Sequence, residues 1–398
     1  MANRKLGHEE KRPPGDGLIS LAEEGLETGL LPDGWREAAH EAWKGEVQEE
    51  LLSLVGEGVL QAEVTRAISG WFRHGDSPAL EDEQGLFVTA GRGRALVLLA
   101  NVLLKPGEKV LVETPVSPAA RGIFHRNGVE IIGVPCDPDG MLPGECRTLI
   151  RKHKPRLIYF TPDESDTCGI SWSSRRRAEV LEVALENEVW TVADRSGGRA
   201  PVPGEESYLK GSIYAQALER GAGARTAELD SMDGHGIHAA WVRADRALVQ
   251  RLQEARLKLP EQAGHSGLPG APAALLVRPG FSWPQHAAAL NREYASRRAE
   301  ALALLEGSPI LRAAFQQPAG SGRFLWGELP AGLDSGALLR AARLHGAAFL
   351  PGAPWCYAGA GSPRTLRLSL AAQSRQRMRL GLARLADAAA EFTARWEG

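Results

Sequence analysis

The sequence lacks the features that mark several classes of protein. Its four cysteines (Cys136, Cys146, Cys168 and Cys356) are scattered and form no CxxC pair. This excludes a disulfide scaffold and the usual zinc spacing, and it suits a reducing compartment. No stretch approaches the ~18 apolar residues of a membrane span, and the polar N-terminus has no apolar signal core. We therefore expect a cytoplasmic protein with no metal site and no membrane contact.

An excess of positive charge is also missing. The chain has 47 Lys+Arg against 49 Asp+Glu, a net charge of -2 over 398 residues. Nucleic-acid binding depends on an excess of cations facing the phosphates, so we do not expect a nucleic acid as partner. Lysine is scarce, with only nine among the 47 cations, so each lysine can be checked as a functional candidate. The length allows two or three domains.

Strand-like and helical segments alternate from Leu86 onward. Such alternation predicts βαβ units and a mostly parallel sheet covered on both faces, with ligands beyond the carboxyl ends of the strands. After an irregular stretch at 199–235, the last part of the chain predicts a smaller α+β domain. The predicted strands are 86–91, 109–115, 129–137, 156–162, 189–194, 238–242, 323–330, 347–351 and 365–371; the predicted helices are 94–104, 117–128, 143–153, 173–188, 246–258, 284–306, 335–345 and a last one to about 396.

A series of short motifs follows this order. They include LLPDGWREA, LFVTAG, LLKPGEKVLVETPVSP, PRLIYFTP, HSGLPGAPAAL, GRFLWGELPAG and HGAAFLPGAPW. In this order and spacing the chain resembles the class I/II aminotransferases, which are fold-type I pyridoxal-phosphate enzymes, and most of all the aminotransferase domains of MocR-type regulators. The resemblance implies an α/β fold with a seven-stranded-type, mostly parallel sheet and a homodimer with the active site at its interface. It divides the chain into a tail (1–17), an N-terminal arm (18–45), a large domain (46–280) and a small C-terminal domain (281–398).

The cofactor positions of that family are largely replaced here. The lysine that forms a Schiff base with the cofactor falls on Ser231, and Lys210 and Lys258 are the nearest lysines in sequence. A serine cannot form that bond. We therefore expect no cofactor, and pyridoxal phosphate only if a displaced lysine such as Lys210 reaches the pocket. The other replaced positions are the phosphate-binding arginine on His238, the stacking aromatic on Ser117, the asparagine on Asp166 and two tyrosines on Gly197 and Val55.

Two functional positions of the family are retained. Asp194 matches the aspartate that pairs with the pyridine nitrogen of the cofactor. Arg367 matches the arginine that holds a substrate carboxylate in a bidentate fork. The resemblance thus implies a small carboxylate-bearing substrate.

Several residues are candidates for the chemistry. We take His235, His238, Asp194 and Asp166 as candidate acid/base residues, because imidazole and carboxyl groups move protons. Arg367, Arg92, Ser117 and Ser231 are candidate substrate-binding residues, and Arg92 stands at a helix start that favours anions. Structural roles stay open for each of them. A further acidic set could face a metal or a cationic substrate or be solvated loop charge: Asp163, Glu164, Asp166, Asp230 and Asp233.

Three functions fit these observations. The main hypothesis is an enzyme of specialised metabolism that works without pyridoxal phosphate on an amino-acid-like metabolite. The second is a non-catalytic protein that binds a metabolite or a partner subunit. The third is a pyridoxal-phosphate enzyme that either has a displaced lysine or binds the cofactor without a covalent bond. The fold by itself is a weak argument for any of them.

Overall fold

One large sheet organises the chain between residues 86 and 244 of the computed structural model. Its eight strands lie in the order β2-β9-β8-β7-β6-β3-β4-β5, and β9 and the two-residue β5 run against their neighbours. The predicted mostly parallel, seven-stranded-type sheet is confirmed, with β5 added at one edge. The strands are β1 (Ile19–Ser20), β2 (Leu86–Thr89), β3 (Lys109–Thr114), β4 (Glu130–Asp137), β5 (Gly140–Met141), β6 (Leu157–Phe160), β7 (Trp190–Asp194), β8 (Thr226–Ser231), β9 (Ala240–Ala244), β10 (Phe324–Glu328), β11 (Ala347–Ala348), β12 (Leu350–Pro351) and β13 (Thr365–Ser369).

Helices cover both faces of this sheet. The structure describes residues 17–43, 54–72, 83–165, 167, 169–197, 199–203, 208, 210–258, 270–316, 322–355 and 363–396. In these ranges the α-helices are α1 (Trp35–Trp43), α2 (Leu54–Gly70), α3 (Gly91–Leu103), α4 (Pro118–Arg126), α5 (Pro143–His153), α6 (Ser174–Glu186), α7 (Ile213–Glu219), α8 (Arg246–Lys258), α9 (Gly270–Val277), α10 (Trp283–Leu305), α11 (Pro309–Ala314), α12 (Ser335–Leu344) and α13 (Arg375–Trp396). None of these is long and apolar enough to cross a membrane.

The two faces of the sheet belong to different hydrophobic clusters. In β3, Val110 and Val112 pack with helices α3, α4 and α8 on one face, while Leu111 packs with α5, α6 and α7 on the other. This follows from the two-residue period of a strand, which sends successive side chains to opposite faces. Because both faces are buried, the strands are continuous apolar runs, which is why most of them were predictable.

The C-terminal part of the chain forms the smaller domain. Strands β10, β13 and β12 make an antiparallel sheet. Helices α10 to α13 supply its apolar partners, and the N-terminal segment joins them, since β1 pairs with β11 and Ile19 and Leu21 are buried in the same cluster. The chain therefore crosses from this domain to the large one directly after its described start at residue 17. The domain limits 18–45, 46–280 and 281–398 stay predictions.

Strand β8 is the main element that the sequence did not predict. Its residues, TAELDS, alternate small or apolar side chains with acidic ones, a pattern typical of an exposed loop or edge. In the structure all six are buried, because Glu228 and Asp230 find partners inside the protein. Helix α7 in the same stretch also went unpredicted.

Candidate active site

A cavity of about 510 Å³ opens where the carboxyl ends of β7 and β8 face the start of helix α3. The large domain supplies its floor, and the small domain and the N-terminal segment close its sides. This is the edge at which an open α/β sheet binds its ligands. The polar residues that line it are Glu24, Arg92, Ser196, Ser231, Asp233, His238, Arg323 and Arg367.

Asp194 is the last residue of β7 and is fully buried. Its Oδ2 accepts a hydrogen bond from the Tyr159 hydroxyl at 2.6 Å and from the Arg92 Nε at 2.7 Å. Its Oδ1 accepts one from the backbone N–H of Ser196 at 3.0 Å. The carboxylate is thus fixed by strand β6, helix α3 and the loop after β7. The sequence did not single out Tyr159, because it stands in an apolar strand and resembles an ordinary core residue there.

Asp233 caps the start of helix α3. Its Oδ2 accepts the backbone N–H of Arg92 at 2.6 Å. The side chain crowds Gly91, which has a positive φ of 77°, and a Cβ there would lie 2.6 Å from the same oxygen. A helix N-terminus attracts negative charge. The protein therefore places one of its own carboxylates at the helix start that would otherwise favour an anionic ligand.

Arg367 lies in β13 on the opposite wall and is 1% exposed. Its guanidinium carbon lies 4.2 Å from the centre of the Phe324 ring and 4.1 Å from that of Trp355. Its Nη2 donates to the Oε1 of Glu24 at 2.6 Å. A guanidinium buried against two rings has a restricted orientation, which suits it to carboxylate recognition. No sequence pattern pointed to Glu24, which lies 343 positions from Arg367 in the chain.

Ser231 lines the cavity and no lysine that the structure describes does so. Ser231 ends β8 and is 1% exposed, with its hydroxyl accepting the backbone N–H of Asp233 at 3.3 Å. Lys210 is exposed, and its carbonyl accepts a hydrogen bond from Gln216. Lys258 is exposed at the end of α8. The lysines outside the described residues are Lys5, Lys11 and Lys44.

The two candidate histidines point to different environments. His235 is 1% exposed and lies outside the cavity lining; its Nδ1 lies 3.1 Å from the Tyr294 hydroxyl. Burial holds the pKa of His235 well below its usual value, so the ring is neutral. His238 lines the cavity and is mostly exposed, and its Nδ1 lies 3.4 Å from Asp233, which raises the pKa of His238. The structure therefore does not bring the two together as an acid/base pair, and only His238 faces the site.

The remaining candidates have mixed positions. Ser117 is buried directly before helix α4, and the neighbouring Ala119 and Ala120 line the cavity in its place. Asp166 lies outside the described residues, as does the side chain of Val55. At Gly197, a Cβ would overlap the carbonyl oxygen of Asp163, so the chain has no room for the tyrosine of the family there.

A buried polar cluster lies next to Asp194. The Arg195 guanidinium pairs with Asp163 and with Glu228 at 3.2 Å, and it stacks 3.9 Å from the centre of the Tyr208 ring. Asp163 also binds Arg177 at 2.5 Å, and these two cations hold the pKa of Asp163 well below its usual range. Solvated loop charge is therefore the wrong interpretation for Asp163. The cluster consists of Asp163, Arg177, Arg195, Tyr208, Ser212, Glu228 and Asp230.

Comparison with known proteins fits this geometry. The family model of aminotransferase class I and II matches residues 19–196. The 2-aminoadipate transaminase of Thermus thermophilus is 26% identical over 311 residues, which cover 76% of this chain and 75% of that protein. The crystal structure of LysN, an alpha-aminoadipate aminotransferase from the same species, superposes with a TM-score of 0.77 at 26% identity and covers 95% of this chain and 93% of its own.

The chain is similar to the class I and II aminotransferases. The HTH-type transcriptional regulator YisV of Bacillus subtilis is 24% identical over 247 residues, which cover 61% of this chain and 48% of the regulator. This confirms the expected likeness to the aminotransferase domains of MocR-type regulators.

The expectation that no cofactor is involved is wrong. The LysN structure was solved in complex with N-(5'-phosphopyridoxyl)-L-leucine, a pyridoxal-phosphate derivative of an amino acid, and the matched relative is a transaminase. The residues in and directly behind the cavity suit most of the chemical groups of such a ligand. Asp194 suits a protonated ring nitrogen and Arg367 suits an amino-acid carboxylate. The start of helix α3 suits a phosphate, although Asp233 must leave it first.

Proposed function

We propose that this protein is a pyridoxal-phosphate-dependent aminotransferase-family enzyme that holds its cofactor without a bond to lysine. The observation that carries the proposal is one cavity lined by Arg367, Ser231 and Arg92, with Asp194 buried directly behind Arg92 and paired to it at 2.7 Å. We propose a small amino-acid-type substrate whose carboxylate binds Arg367. We also propose the homodimer that the resemblance implies, which light scattering of the purified protein would test.

Each residue would contribute a distinct step. Asp194, already fixed by three donors, would hold a proton on the ring nitrogen of the bound group. Pyridoxal phosphate supplies an electron sink for the substrate carbanion. His238 faces the cavity with a pKa raised by Asp233, so we propose that it moves the proton that a lysine would otherwise carry. Ser231 would contribute only a hydroxyl dipole, since it is too weak an acid to replace the lysine.

The decisive measurement is a titration of the protein with pyridoxal 5'-phosphate and with pyridoxamine 5'-phosphate, read by absorption. We expect saturable binding of the amine form, which needs no lysine, and no labelled lysine peptide after borohydride reduction. The D194N variant should bind about ten- to hundredfold more weakly, because a charged hydrogen bond contributes about 1.5–3 kcal/mol. A D387N variant, altered on the exposed face of α13, serves as the control.

Two results would contradict the proposal. A labelled Lys210, or any other labelled lysine, would show that a displaced lysine serves the cofactor. Absence of binding of either form would instead favour a non-catalytic subunit, in line with the internal partners that Asp194, Arg367 and the start of α3 already have.

Replacing Asp233 by asparagine is expected to tighten binding of pyridoxamine 5'-phosphate about five- to tenfold. The Asp233 carboxylate competes with the phosphate for the start of helix α3, and a charge at such a position contributes about 0.3–2 kcal/mol. The titration should be done at pH 6, because an imidazole without its aspartate is still mostly protonated there. The charge of His238 then stays nearly the same in both proteins.

The matched control is again D387N, which changes the net charge equally at a distance from the cavity. Pyridoxamine without its phosphate should bind wild type and D233N alike. If D233N tightens both ligands equally, Asp233 acts through net charge or cavity shape and not at the phosphate position.

A further inference from the structure

Residues 21–27, here called the N-terminal strap, cross the cavity at the end where Arg367 lies. It is fixed on both sides: the backbone N–H of Leu21 donates to Ala348 at 2.7 Å, and that of Glu27 donates to Ala371 at 2.8 Å. Between these points, Glu24, Gly25 and Leu26 line the cavity. The segment is therefore a strap across the opening, and Glu24 lies near its middle.

The backbone of Glu24 is fixed independently of its side chain. The Arg323 Nη1 donates to the carbonyl oxygen of Glu24 at 2.5 Å and to that of Gly234 at 3.0 Å. The side chain of Glu24 is 64% exposed, whereas that of Arg367 is 1% exposed. The carboxylate can thus rotate into solvent while the strap stays in place. Arg367 cannot follow it, because its guanidinium is buried against the rings of Phe324 and Trp355.

A buried guanidinium charge destabilises the protein unless an anionic group lies nearby. Loss of one partner from a buried pair leaves an uncompensated charge, which is far more costly than loss of an exposed pair. Glu24 pairs with Arg367 through Nη2, and a substrate carboxylate has the same charge and the planar shape that a guanidinium prefers. Such a carboxylate can therefore replace Glu24 at Arg367, and the Glu24 side chain, which is already 64% exposed, loses little by entering water.

We propose that Glu24 is a specificity-determining residue that masks Arg367, so that a substrate carboxylate binds by one-for-one exchange with the Glu24 side chain. This inference rests on the proposed function in one respect, the role of Arg367 in carboxylate binding. The exchange excludes neutral or poorly fitting ligands from Arg367, because they cannot replace the charge of Glu24. Only a carboxylate that is placed to pair with Arg367 can therefore displace the Glu24 side chain.

The test uses calorimetric binding of isocaproate, which is a leucine skeleton without its amino group, to the full chain. The E24Q variant keeps the size of the side chain and removes its charge. We expect E24Q to bind isocaproate about tenfold more tightly than wild type, which is about 1.4 kcal/mol. Isocaproamide, which has no charge to exchange, should bind both proteins alike. R367M should abolish the gain, so that R367M and E24Q/R367M bind isocaproate equally.

The E23Q variant is the matched control, because Glu23 is the exposed neighbour of Glu24 on the same strap. It makes the same change in net charge, and we expect wild-type affinity for isocaproate. Equal binding of isocaproate by wild type and E24Q would overturn the exchange but leave Arg367 as the carboxylate site. A gain that persists in R367M, or that E23Q also shows, would assign the effect to general charge and overturn the proposal. No binding to any variant would overturn both this inference and the role of Arg367.

Discussion

The R195M variant is expected to unfold with a free energy about 3–5 kcal/mol lower than wild type. Arg195 is 2% exposed and is shared by Asp163 and Glu228, and its Nη2 donates to the carbonyl of Tyr208 at 2.9 Å. Removing it leaves Glu228 buried, with hydrogen bonds from the Ser212 hydroxyl and from the backbone N–H of Tyr214. Breaking a buried ion pair from one side carries a cost of this size because the other charge stays uncompensated.

Urea unfolding followed by far-ultraviolet circular dichroism would measure this. The control is R175M, since Arg175 is 87% exposed in a pair with Glu179 on helix α6, and such pairs contribute about 0–1 kcal/mol. Adding E228Q to R195M should recover part of the loss, because it removes the orphaned charge. A loss below about 1 kcal/mol in R195M would show that the cluster does not stabilise the fold in this way.

The stability of the protein is expected to fall between pH 5 and pH 8 because of Asp230, and the D230N variant should lack this fall. Asp230 is 1% exposed, and its Oδ2 accepts the Tyr208 hydroxyl at 2.6 Å. Burial raises the pKa of Asp230 to about 8, although the Arg195 charge opposes the shift. In the unfolded chain an aspartate has a pKa of about 3.9. The folded state therefore binds this proton more tightly.

The sign follows from that difference. Stability from a raised pKa is fully present below the unfolded value and is lost as pH rises toward the folded value, at up to about 1.4 kcal/mol per pH unit. Asparagine mimics the protonated carboxyl, so D230N and wild type should be similar only near pH 4 and below. Between pH 5 and pH 8, D230N should gain about 3–4 kcal/mol of stability relative to wild type.

Urea unfolding of both proteins across this range would test it, with D387N as the control for net charge. The shifts of His235 and His238 are present in both proteins and cancel in the difference. Parallel stability curves for wild type and D230N would contradict the expectation, because they would mean that Asp230 titrates alike in the folded and the unfolded chain.

Apolar patterning predicted most of the fold because burial and sequence period agree there. The helices at 143–153 and 246–258 have the predicted limits, since Pro143 starts one of them and their apolar faces repeat at helical spacing. The pattern failed at β8, where Glu228 and Asp230 occupy a buried strand. Their partners, Arg195, Tyr208 and Ser212, come from other segments.

The candidate site also contains residues that the sequence could place and residues that it could not. Asp194 and Arg367 could be placed from the sequence because each ends or occupies a strand whose motif is recognisable. His235 could not be separated from His238, because the two are three positions apart and only the packing of Tyr294 decides which ring is buried. The presence of Asp233 at the start of helix α3 also depended on a contact between residues 141 positions apart.

The sequence by itself predicted the likeness to the aminotransferases and the α/β architecture, and it named Ser231, Asp194 and Arg367 as candidates, because these predictions depend on local order and spacing. Only the tertiary structure decided that three groups suited to a ligand already have partners inside the protein. Asp194 binds Arg92, the start of helix α3 binds Asp233, and Arg367 binds Glu24. Ion pairs form between side chains that distant segments bring within about 3 Å, and no local pattern encodes that distance. The carboxylates which a ligand must displace are therefore a property of the fold.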